Sequence, residues 1–160
     1  MWRRPATILL SLGLAACSHA PVVKAPLKFP AATTGTATIT VDGQPKTTLT
    51  YLTQDRVPPP LRNVASGTRA FIWQGSPPNG DEVLVVGVLP FVGTRETSNG
   101  KGGPVVALFR PGAAPLFSQP GDCRVTIRST DAKAIRGSLD CSFRSVTPPL
   151  SLRGDFDAQA

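Results

Sequence analysis

Near the carboxyl end, three runs alternate apolar and polar side chains with a strict period of two. In residues 123–129, Cys123, Val125 and Ile127 share one face while Arg124, Thr126 and Arg128 share the other. In 135–143, Ile135, Leu139, Cys141 and Phe143 alternate with Arg136, Ser138, Asp140 and Ser142. In 150–156, Leu150, Leu152 and Phe156 oppose Ser151, Arg153 and Asp155. Successive side chains of a strand point to opposite faces, so this pattern predicts an antiparallel meander with one face on a core and one in water. A helix would scatter the same residues around its axis.

The pattern also sets a register. With the first turn centred on Ala132, Cys123 falls opposite Cys141, Val125 opposite Leu139 and Arg124 opposite Asp140. Apolar then meets apolar and charge meets opposite charge, which is the pairing a sheet rewards.

Upstream, five further strands are expected at 36–41, 46–53, 68–74, 83–92 and 104–109, separated by turn residues such as Asp42-Gly43-Gln44-Pro45. Pro90 marks an edge or bulge at the end of the fourth. Segments 94–103 and 110–121 read as loops punctuated by glycine and proline. The 17 prolines and 15 glycines make up a fifth of the chain, below the level of a low-complexity sequence. The expectation is a single all-β domain over residues 33–160, an antiparallel β-sandwich or compact barrel of about eight strands. About 128 residues suffice for one core.

The amino terminus has a different grammar. Arg3 and Arg4 precede a short apolar run, 8–14, and small residues follow. This is the layout of a secretory signal, and the run is too short to cross a bilayer as a helix. Leu14-Ala15-Ala16-Cys17 resembles the lipobox of bacterial lipoproteins. The resemblance implies a signal peptide over 1–16, cleavage before Cys17 and acyl chains on that residue, two or more of which anchor a protein stably. Ser18 in place of Asp implies the outer membrane, if the organism has one. Residues 17–32 form a proline-containing tether of roughly 3 Å per residue, and His19 within it reads as a solvated residue. Export also bears on the other two cysteines. An oxidising compartment and directly opposed positions predict a Cys123–Cys141 disulfide contributing on the order of 3 kcal/mol; two buried thiols are the alternative.

Two fragments, "TATITVDGQPKT" and "VTIRSTDAKAIRGSLDCSF" followed by "LSLRGDFDA", resemble small β-rich envelope lipoproteins of unassigned function. That likeness implies no activity. Leu139 departs from the aromatic residue commoner at its position.

Chemistry-bearing motifs are sparse. With Arg3 and Arg4 removed, the formal charge falls from +7 to about +5, dispersed along the chain and without a nucleic-acid signature. His19 is the single histidine; the domain therefore offers neither a Ser–His or Cys–His nucleophile pair nor a histidine-ligated zinc. No metal or cofactor is expected. Asn99-Gly100-Lys101-Gly102-Gly103 lacks phosphate-loop spacing. Asp81 with Glu82, and Asp155 with Asp157, are the carboxylate pairs that a hydrolase reading would need.

Two surface readings remain. Arg124, Arg128, Arg136, Arg144 and Arg153 gather on the meander's wet face, either as an anion-binding face for head groups or wall polymer, or as a ladder of weak ion pairs. In the middle strands, apolar residues occupy both faces, and no helix is available to cover the second. Covering by the 56–66 loop, another copy, a partner or an apolar ligand would each satisfy them. Phe71, Trp73, Leu89 and Phe91 are accordingly the candidate contact residues. The functional expectation is a non-catalytic binding or scaffolding module at the envelope, held to the membrane by its acyl chains and meeting an envelope protein or another copy of itself. A barrel carrying a small apolar ligand is the second reading, and a carboxylate-based hydrolase the third.

Overall fold

The computed structural model describes residues 27–53, 56, 69–76, 82–98 and 102–160. The expected signal peptide, Cys17, His19 and most of the expected tether lie outside these residues, as do Asp81, residues 99–101 and nearly all of the expected 56–66 loop. Ten strands follow in chain order: β1 Thr36–Val41, β2 Thr47–Tyr51, β3 Arg69–Gly75, β4 Val83–Val88, β5 Gly93–Glu96, β6 Val105–Phe109, β7 Leu116–Phe117, β8 Cys123–Thr130, β9 Ala134–Phe143 and β10 Leu150–Gln159. They form one antiparallel sheet, in the order β5-β8-β9-β10-β1-β2-β3-β4-β6-β7, curled into a half-barrel.

The all-β antiparallel expectation holds. The expected count of about eight omitted β5 and β7. In β5 every residue is exposed, so no alternation betrays it, and β7 has only two residues. The expected fourth strand ends at Val88, before Pro90.

The meander is in the anticipated register, with Cys123 opposite Cys141, Arg124 opposite Asp140 and Val125 opposite Leu139. The two cysteines are bridged, with Cα atoms 4.0 Å apart. A shift between Ile127 and Ser129 leaves Arg128 as a β-bulge. The bulge absorbs one residue, so the turn closes between Asp131 N and Ala134 O at 3.0 Å and is not centred on Ala132. Asp131 Oδ1 fixes that turn by accepting from Lys133 N at 2.6 Å and Ala134 N at 2.9 Å.

The concave face is packed with side chains. Ile39, Leu49, Phe71, Trp73, Leu84, Leu108, Ile127, Ile135, Phe143 and Leu152 are fully buried in one cluster that also holds the disulfide. Trp73 Nε1 donates to Asp157 O at 2.9 Å, and its ring lies 5.3 Å from that of Phe156, so β3 is tied across the interior to β10. Phe29 packs edge-on to Phe71 at 5.4 Å.

The second faces of the middle strands are also settled. Ile72, Val85 and Ala107 stand side by side through the β3–β4 and β4–β6 pairings. They are fully buried within the single chain, with Leu52, Val83 and Phe109 packed against them. Their cover is intramolecular.

The sheet edges β5 and β7 meet around Thr97. Its Oγ1 donates to Gln119 O at 2.7 Å and accepts from Cys123 N at 3.1 Å, while Gly121 N donates to Thr97 O at 2.9 Å. Next to it the buried Asp122 carboxylate accepts from Gln119 N at 2.9 Å and from Arg144 Nε at 2.7 Å. These bonds satisfy buried polar atoms that an open sheet edge would leave orphaned.

Candidate functional site

Antiparallel order sends the strand ends to two poles. At one pole lie the start of β1, the β8–β9 turn and the end of β10. The chain preceding the domain arrives there: Thr130 Oγ1 donates to Lys28 O at 2.7 Å, and Thr33 N donates to Gln159 O at 2.7 Å. The opposite pole gathers the β1–β2 turn, the start of β4 and the end of β6.

The turn at this second pole is held in shape. Asp42 and Gly43 adopt φ of 46° and 70°, which an Asp-Gly pair accommodates with little strain. Gln44 N donates to Val41 O at 2.8 Å. Asp42 Oδ1 accepts from Ser151 N at 2.7 Å, pinning the turn to the start of β10. Across from it, Glu82 O accepts from Gly75 N at 2.9 Å, fixing the residue that opens β4. Because Val83 pairs with Phe109, Glu82 and Arg110 extend from facing strand ends. A bend at Gly112, φ 67°, brings Pro111 and Ala113 alongside.

Together they enclose a groove of about 620 Å³ lined by Gln44, Pro45, Lys46, Thr47, Glu82, Arg110, Pro111 and Ala113. An adjoining hollow of about 320 Å³ shares most of this lining and adds Val41 and Asp42. Among the described residues, the side chains of Lys46, Glu82 and Arg110 make no hydrogen bond or ion pair. Glu82 is half-buried. Burial pushes its carboxyl above the ordinary value of 4.5, opposed by the attraction of Arg110. A half-buried carboxylate beside Arg110 and Lys46 gives the groove charges of both signs.

The arginine face of the meander is built differently. Arg124 lies 3.6 Å from Glu96, Arg144 2.7 Å from Asp122 and Arg153 3.2 Å from Asp140, and Arg128 is paired with Asp155. Arg136 stands across from Asp157 in register. Apart from the buried Asp122 the partners are well exposed, which makes these pairs a ladder worth under about 1 kcal/mol each. Their charge is already directed at one another.

Three of the four expected contact residues lie in the core. Phe71, Trp73 and Phe91 are buried in the core, and Leu89 is half-buried. Their pairing with the interior follows from the curl of the sheet, which turns that face of β3 inward. Of the carboxylates, Asp155 is engaged with Arg128, and Asp157 accepts from Thr36 N at 3.1 Å; neither lines the groove with Glu82.

Only Glu82 of the groove was singled out from sequence. Lys46, Arg110 and Gln44 carry no mutual spacing signal, because sheet topology alone brings their strand ends together. No family model, curated protein or solved structure matches the chain.

Proposed function

We propose that the chain is an envelope-anchored lipoprotein, acylated at Cys17, whose β domain is a non-catalytic binding module. The groove at the pole remote from the tether is its binding site. The observation that carries this reading is that Lys46, Glu82 and Arg110, which among the described residues make no hydrogen bond or close ion pair, line one groove, whereas Glu96, Asp122, Asp140 and Asp155 are each paired with an arginine. The carrier reading is not preferred, because side chains fill the concave face where a ligand would lie. The hydrolase reading is not preferred either, because the Asp155 and Asp157 carboxylates are committed to the sheet. Anchored through residues that approach the other pole, the groove would point away from the lipid surface and toward other envelope molecules.

A photo-crosslinking residue at Thr47 tests this in intact cells. The expected result is a discrete adduct that disappears when Glu82→Gln and Arg110→Gln are combined. Adducts unchanged by those substitutions would remove the groove from the account.

A further inference from the structure

The groove's chemistry specifies more than a generic contact. Its volume of about 620 Å³ falls in the range of small-ligand sites, roughly 300–1,000 Å³. Its charges come in both signs, with Glu82 and Arg110 on the ends of the paired strands β4 and β6 and Lys46 beside the β1–β2 turn. Arg110 ends β6, and Lys46 leads into β2; each presents donors suited to a carboxylate, the guanidinium in a two-pronged fashion. Glu82, half-buried at the start of β4, presents an acceptor suited to an ammonium group. Pro45, Pro111 and Ala113 supply short apolar surfaces between them. A purely anionic ligand would leave Glu82 repelled, and a purely cationic one would leave Arg110 and Lys46 repelled. A ligand carrying both charges completes all three.

Resting on the groove reading above, we propose that the ligand is a short peptide with a free ammonium and a free carboxylate. The ammonium docks on Glu82, and the carboxylate on Arg110 and Lys46. Among the described residues none of the three side chains makes a hydrogen bond or close ion pair, so each retains donors or acceptors for a ligand. The burial that raises the Glu82 carboxyl is the same burial that strengthens a charge-assisted bond to an incoming ammonium.

Calorimetric titration of the full-length purified protein with trialanine, N-acetyl-trialanine and trialanine amide tests the assignment. Free trialanine is expected to bind, and each cap to weaken binding about tenfold. Glu82→Gln should abolish discrimination against the acetyl cap and retain it against the amide; Arg110→Gln should do the reverse. Circular dichroism checks that both variants remain folded. Equal binding of free and capped peptides, unchanged discrimination in the variants, or no heat up to about 10 mM trialanine overturns the ligand class. If the Thr47 crosslink still forms in those cases and still depends on Glu82 and Arg110, the groove stands with another ligand; if it is also lost, both readings fall.

Discussion

Two carboxylates show how differently this fold treats the same group. Asp131 is fully exposed, yet the backbone N–H groups of Lys133 and Ala134 hold its carboxyl below the ordinary 3.8. Its ionised form therefore stabilises the folded state above the unfolded pKa, and the benefit is lost as pH falls through the folded one. Asp131→Ala is expected to lower the melting temperature at about pH 7, with the deficit shrinking toward about pH 2; an equal deficit at both would deny the charge a role. Glu82 has the opposite sign. Burial raises its carboxyl above 4.5, so ionisation opposes folding at neutral pH, and stability grows as pH falls through the raised value. Glu82→Gln should be at least as stable as the parent at about pH 7, the gap closing below pH 4.5. Thermal melts across that window decide it, and a destabilised Gln variant at neutral pH would show that Glu82 has a structural partner. This half-buried carboxylate lining the groove is the residue on which the proposed binding site rests. Sequence pointed to Glu82 only as a neighbour of Asp81; its distinguishing feature is desolvation, which no local pattern encodes.

Among the elements, the β8–β9–β10 meander was the most legible, for a physical reason. One face is wet, so alternation survives in the side chains, and a slip by one residue would have buried Arg124 and exposed Val125. The cysteines and the hydrophobic pairs thus agreed on a single register, which the structure adopts. The bulge at Arg128 escaped notice because it alters neither the apolar face before it nor the turn residues after it. β5 was hidden because an edge strand exposed along its length has nothing to alternate. Phe71 and Trp73 are candidate contact residues in the sequence because strands apolar on both sides do not reveal which side is inner; the curl of the sheet decides that, and the chain's own cover over Ile72, Val85 and Ala107 accounts for the other side. The disulfide lies inside the main core and joins β8 to β9, strands already paired at seven register positions. Replacing both cysteines with serine is expected to cost about 3 kcal/mol, read from urea denaturation, with reductant producing a loss of similar size in the parent. No loss in either experiment would mean that the meander's packing alone sets its stability.

For the molecule as a whole, antiparallel connectivity produces polarity. Residues leading from the expected lipid anchor meet the sheet at the pole of Thr130 and Gln159, while the groove opens at the pole of the β1–β2 turn. A filled half-barrel lies between them, and on the proposed function it would separate ligand contact at one end from membrane attachment at the other. The class and much of the strand layout could be read from the chain because period-two alternation is a local property. The groove could not, because Lys46, Glu82 and Arg110 become neighbours only after the sheet has curled. Hydrogen exchange compares the protein in native membranes with the purified protein and tests the occupied groove most directly. Slower exchange in the membranes confined to residues 44–47 and 110–113, and abolished by Glu82→Gln, is the predicted result; protection absent there, or centred on the Thr130 pole, would contradict it.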